Sequence, residues 1–215
     1  MTADARLNRK EHWETVYRSK RPTEVSWYQA EAELSVRLIQ EVVPDRTAPI
    51  IDVGGGASVL ASQLSATGYS SITVLDLAAS AIAAAQSRLE SQSADIRWIE
   101  ADILEAVLPH AAYSFWHDRA VFHFLTDPDA RAAYVTQVRH AVVPSGYVLV
   151  ATFAEDGPTR CSGLDVVRYS PSTLHAEFGS GFAYVAAHRE EHRTPTGAIQ
   201  AFTYCLCRRE VRGAQ

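Results

Sequence analysis

Short apolar runs and longer amphipathic runs alternate through the middle of the 215-residue chain. "APIIDV" (48–53) reads as a strand and residues near 57–67 as a helix. "SITVLDL" (71–77) is a second strand, and "ASAIAAAQSRLES" (79–91) an Ala-rich helix. "DIRWIEAD" (95–102) is a third strand, "YSFWHDRAV" (113–121) holds a fourth, and "GYVLVATF" (146–153) is a fifth. Between the last two lies the helix "DPDARAAYVTQVRHAV" (127–142), with Asp127 as N-cap and Pro128 at the first helical position. Pro144 and Gly146 punctuate its end. Apolar strands alternating with helices predict a parallel sheet covered on both faces.

The ends of the chain follow other patterns. "SPSTLHAEF" (170–178) predicts a short helix capped by Ser170. "FAYVAAHREEHR" (182–193) and "AIQAFTYCLCRR" (198–209), separated by "TPTG", predict an antiparallel hairpin. Ahead of the first strand, "NRKEHWETVYRSK" (8–20) predicts a short helix, 21–29 a loop, and 30–43 an amphipathic helix with Leu34, Leu38, Ile39 and Val42 on one side. The expected fold is α/β, Rossmann-like: a mostly parallel sheet with helices on both faces, closed by an antiparallel hairpin. Residues 1–45 are expected to form a helical lid and 46–215 the main body of a single domain.

Composition narrows the function. Net charge is −5 and no basic run appears, which argues against a nucleic-acid partner. Lys10 and Lys20 are the only lysines, so lysine chemistry in the core is not expected. Cys161, Cys205 and Cys207 show no metal-binding spacing, and no metal site is assigned. The polar start and the lack of a long apolar run imply a cytoplasmic protein with no membrane partner.

The chemistry gathers at the ends of the strands. Gly54, Gly55 and Gly56 follow the first strand, where glycines permit a tight turn and close approach of a ligand. The loop lacks the GK[ST] ending of a phosphate-binding loop, and Val59 stands where a dinucleotide fingerprint has its third glycine. Asp52, Asp76, Asp102 and Asp118 end four successive strands, and open parallel sheets bind ligands at those ends. Four acids suit a pyrophosphate poorly. They suit a ligand with a ribose, an amine and a positive charge, all of which S-adenosylmethionine has.

With these residues the chain resembles the class I S-adenosylmethionine-dependent methyltransferases over roughly 10–210. "IIDVGGGAS" looks like their first motif. "VLDL" looks like the second, which implies Asp76 on the ribose hydroxyls with Leu77 beside it. "EADI" looks like the third, which implies Asp102 at the adenine amine and Ile103 beside the ring. "FWHDRAVFHFL" looks like the fourth strand and its exit over the transfer site. The family's seven-stranded sheet ends in an antiparallel hairpin. Residues 11–29 and 157–171 are similar to small bacterial methyltransferases and to methyltransferase-like proteins that modify protein lysines. The resemblance makes the N-terminal segment a lid.

Site roles follow as expectations. Methyl transfer needs a positioned nucleophile, and a base only if that nucleophile carries a proton. His117 and His123 are the candidate bases. Tyr28 is a third catalytic candidate, able to hydrogen-bond donor or acceptor. Trp13, Tyr17 and Trp27 offer aromatic faces to a sulfonium. Arg119 suits an acidic substrate or an ion pair. The long loop 153–170 supplies Arg160, Cys161, Arg168 and Tyr169 as acceptor contacts. The leading reading is a methyltransferase, monomeric or homodimeric, acting on a small thiol, chalcogen, hydroxyl or amine. The alternatives are a protein-lysine methyltransferase, a nicotinamide oxidoreductase and a non-catalytic S-adenosylmethionine binder.

Overall fold

A computed structural model describes residues 3–89 and 96–211, with 3–8 as backbone alone. Seven strands form one sheet in the order β3-β2-β1-β4-β5-β9-β8. The parallel strands are β1 (Ile50–Val53), β2 (Ile72–Asp76), β3 (Ile96–Glu100), β4 (Tyr113–Arg119) and β5 (Val142–Phe153). The hairpin of β8 (Phe182–Arg193) and β9 (Ile199–Arg209) joins antiparallel through β9 against β5. Every residue of β1 and β2 is buried, as continuous apolar runs covered on both faces require.

The helices are α1 (Ala3–Ser19), α2 (Glu33–Val42), α3 (Leu60–Ala66), α4 (Ala79–Leu89), α5 (Pro128–Ala141) and α6 (Pro171–Phe178). One face of the sheet packs Phe115, Leu149 and Phe202 against Leu38 and Ile39 of α2 and Leu60 and Leu64 of α3. The other packs Trp116 and Val148 against Tyr134 and Val138 of α5 and Leu174 and Phe178 of α6. Each fully buried side chain of this size contributes roughly 1.5–3 kcal/mol. Leu34 and Val42 complete the expected stripe on α2 from partly buried positions.

Asp127 caps α5 by accepting from the Asp129 N–H, and Ser170 caps α6 by accepting from that of Thr173. Several boundaries differ from expectation, among them the start of α2 at Glu33. The first helix begins at Ala3 and the third not until Leu60. Helix α5 passes directly into β5 at Val142, because Ser145 (φ 64) takes a left-handed turn inside the strand and Gly146 packs against Val142 and Val143. Glu90, Ser91 and Asp95, at the predicted ends of α4 and β3, lie outside the described residues.

The strand order reverses between β1 and β4, and the crevice at their carboxyl ends is the expected ligand site of an open α/β sheet. A two-residue ribbon, β6 (Arg160–Cys161) with β7 (Leu164–Asp165), folds over it through a turn at Ser162 (φ 47) and Gly163 (φ 81).

Candidate active site

The glycine turn is shaped by the acids around it. Gly54 has φ 69, and a Cβ there would fall 2.0 Å from Val121 Cγ2. A Cβ on Gly55 would fall 2.1 Å from Asp52 Oδ2, and one on Gly56 2.7 Å from Asp76 Oδ2. At these two positions the close approach is made by the protein's own carboxylates. Asp76 accepts from the Gly56 N–H at 3.0 Å and the Ala78 N–H at 2.8 Å. Burial pushes its pKa up to about 6, against the opposing pull of those amides.

The other three acids part company. Asp52 pairs through Oδ1 with His117 Nδ1 at 2.7 Å, and its buried Oδ2 has no partner. Asp102 is held by Arg9 at 2.6 Å and by the Leu104 N–H at 3.0 Å. Asp118, expected among the cofactor contacts, faces the opposite side of β4. It accepts from the Val121 and Phe122 N–H groups at 2.9 and 3.0 Å and from the Tyr134 hydroxyl at 2.6 Å. Successive strand residues point to opposite faces, so Asp118 cannot share the side taken by His117 and Arg119. It braces the turn after β4, and burial pushes its pKa up to about 6.

The candidate bases separate too. His117 is buried between Asp52 and Ser35, whose hydroxyl lies 2.9 Å from Nε2. Both ring nitrogens are therefore engaged. His123 is fully buried beside Phe153, accepts from the Phe153 N–H through Nδ1, and lines neither lobe of the site. Burial, helped by the Arg119 charge, pushes its pKa down to about 3. It is a neutral core residue at physiological pH. Arg119 donates to Tyr204 Oη at 2.8 Å, Glu190 at 2.9 Å and the Trp27 carbonyl at 3.2 Å, and stacks over Phe202.

These groups surround a two-lobed cavity. The upper lobe, about 330 Å³, takes in Asp76, Leu77, Asp102, Ile103 and Arg119 with the rings of Trp13, Tyr17 and Trp27. The lower lobe, about 50 Å³, lies under the glycine turn, with Asp52, His117, Ser35 and Tyr28 on its walls. Gly54 and Arg119 border both. Tyr28 reaches only the lower lobe and an outer groove.

Of the four predicted acceptor contacts, Cys161 alone lines the upper lobe, and burial pushes its thiol up to about 11. Arg160 is exposed and pairs with Asp165, Arg168 is exposed and donates to Gly157 O, and Tyr169 packs in the core against Phe122. Helix α1 is tied down by Arg9 on Asp102, Lys10 on Glu100, and Glu14 accepting from the Ala79 N–H at 2.7 Å.

Arg9, Ser35, Phe124, Leu164 and the Glu190–Tyr204 pair join the site unannounced by the sequence reading. They come from distant segments, and only tertiary contact brings them there. The placement of Asp118 was legible: period two along β4 separates it from His117.

Residues 50–146 match a family model described as a methyltransferase domain. Over these residues the chain is similar to methyltransferase domains. The match spans β1 to the start of β5 and so contains the glycine turn and all four strand-end acids. An uncharacterized methyltransferase of Mycobacterium tuberculosis is 34% identical over 127 residues, 59% of this chain and 60% of that relative. The chain thus spans about 60% of the length of the curated relatives it matches.

Solved structures agree on the fold. The 1,6-didemethyltoxoflavin-N1-methyltransferase of Burkholderia thailandensis, solved with 1,6-didemethyltoxoflavin and S-adenosylhomocysteine, aligns with a TM-score of 0.76 at 17% identity, covering 98% of this chain and 92% of that one. A structure described for the conversion of a disulfide bond into a thioacetal group during echinomycin biosynthesis aligns with a TM-score of 0.74 at 18% identity, covering 95% and 94%. At such identities the methyltransferase domain is shared as a fold.

Proposed function

We propose that the protein is an S-adenosylmethionine-dependent methyltransferase acting on a small molecule. The observation that carries this reading is the partnerless, buried Oδ2 of Asp52, a residue bordering the lower lobe, together with Asp76 on the wall of the upper lobe. That pair of acids matches a ligand with an ammonium at one end and ribose hydroxyls further along. Arg119 borders the lower lobe as well, and its guanidinium keeps N–H groups uncommitted for a carboxylate. The residues present therefore fit S-adenosylmethionine, which supplies a methyl group activated by a positively charged sulfur.

The chain's own residues bind, orient and exclude water. Asp76 keeps acceptor capacity beyond its two backbone amides, which suits the ribose. Leu77 and Ile103 line the wall where an adenine would lie, with Asp102 and its Arg9 partner at the edge. Helix α1 and the β6–β7 ribbon cover the upper lobe, and a water-poor site strengthens every polar contact inside it. The modest size of the lobe favours a small acceptor over a protein side chain, and the Burkholderia structure was solved with a small molecule, 1,6-didemethyltoxoflavin.

Label transfer tests the reading. With methyl-labelled S-adenosylmethionine and a metabolite panel beside whole-cell protein, label should appear in the small-molecule fraction. Label confined to protein bands would overturn the choice of acceptor, and no transfer at all would overturn the activity.

A further inference from the structure

The upper lobe is lined by aromatic rings. Trp13 meets Phe124 at 5.0 Å and Trp27 at 5.7 Å between ring centroids, and Tyr17 meets Trp27 at 6.2 Å, all edge to face. All four rings line the cavity, with Leu164 and Cys161 contributed by the ribbon above. Aromatic pairs add about 0.5–1.5 kcal/mol beyond the area they bury, so such a wall selects flat rings. At about 330 Å³ the lobe sits at the small end of ligand pockets, which run from roughly 300 to 1,000 Å³, and the donor shares it.

The titratable groups on that lobe already have partners or are buried, and what Asp76 and Arg119 keep free is assigned to the donor. Asp76 holds two backbone amides and Asp102 holds Arg9 and an amide. Arg9 and Arg119 are permanent cations. Burial keeps the Tyr17 phenol and the Cys161 thiol protonated far above neutrality. Asp165 lies on the rim, its side chain 79% exposed and paired with Arg160 at 3.0 Å. His117 borders the lower lobe alone, with both nitrogens engaged. His123 borders neither. With Asp76 given to the ribose of the donor, the described residues of the lobe include no histidine and no lysine to take a proton from an acceptor.

We infer that the acceptor is a small planar aromatic or heteroaromatic compound whose attacking atom is already unprotonated in neutral water, an aryl thiolate or a bare ring nitrogen. The inference rests on the methyltransferase reading. The acceptor's lone pair forms the new bond to the methyl carbon, and the pair of the old carbon–sulfur bond stays on the donor sulfur. A thiolate and a sulfonium become two neutral thioethers, or a ring nitrogen takes over the positive charge. No proton changes hands, so no base is needed.

Ring-substituted thiophenols, ionised near neutral pH, are compared with phenols of the same shape, which stay protonated. Binding is read first, as quenching of tryptophan fluorescence in the S-adenosylhomocysteine-loaded chain. Thiophenolates should quench saturably, and Phe124→Leu should weaken them about tenfold while leaving S-adenosylhomocysteine affinity unchanged. In turnover at pH 7, thiophenols should exceed matched phenols by about 10²-fold or more, the usual worth of a general base. The midpoint of kcat/KM against pH should move with each thiol's own pKa. Equal rates for phenols, or one midpoint shared by all acceptors, would overturn the inference by revealing a protein base. So would a chain that binds S-adenosylhomocysteine yet neither binds nor methylates any thiophenol or any pyridine of the same size. Failure to bind S-adenosylhomocysteine would instead overturn the underlying reading before any acceptor is added.

Discussion

Asp76 does two jobs with one carboxylate. It pins the glycine turn and the start of α4 through backbone amides, and it presents its remaining lone pairs to the cavity. Hydrogen bonds to a charged group contribute about 1.5–3 kcal/mol each. Asp76→Ala should therefore lower S-adenosylhomocysteine affinity by about 10²-fold or more in calorimetry, and unchanged affinity would remove Asp76 from the ribose. The raised pKa, about 6, adds a pH signature. Ribose hydroxyls donate to the ionised carboxylate, so binding is full above pH 6. It should weaken below that, by at most about tenfold per unit for one proton. Affinity that is flat from pH 5 to 7 would contradict it. The sequence exposed Asp76 because strand, acid and distance from the glycines are all local. It did not expose the Ser35–His117–Asp52 chain, whose members are brought together from α2, β4 and β1.

Helix α1 is held by contacts beyond its own propensity. Glu14 reaches across to the Ala79 N–H at the head of α4, supplying from another helix the acceptor that an N-cap would provide. Glu14→Ala should cost about 0.5–2 kcal/mol of stability, the usual range for a lost cap. It should also speed amide exchange at Ala79, and unaltered exchange there would refute the role. The amphipathic α2 and the capped α5 and α6 were readable because their signals are short-range. The direct passage from α5 into β5 was not. Pro144 and Gly146 look like a loop until the pairing with β9, which begins at Tyr147, holds the segment in the sheet.

Across the molecule, burying two acids with raised pKa values ties stability to pH. Asp76 and Asp118 stand at about 6 when folded, against 3.8 as the ordinary value. A raised native pKa means the folded state holds its proton longer. The resulting stabilisation is complete below about pH 4 and is lost as pH rises through 6. For Asp118, the stability advantage of the natural protein over Asp118→Asn in urea unfolding should narrow between pH 4 and 6, and an advantage that widens would contradict the shift. The α/β order, the terminal hairpin and the crevice at the strand ends follow from alternation along the chain, because a parallel sheet buried on both faces leaves a plain apolar pattern. The aromatic wall and the commitment of both histidines follow from packing across the sheet and are visible only in the assembled molecule. The most direct measurement is calorimetry of the purified chain with S-adenosylhomocysteine and, separately, with NAD. The account predicts one S-adenosylhomocysteine site per chain, lost in Asp76→Ala, and no heat from NAD; binding of NAD without S-adenosylhomocysteine would contradict it.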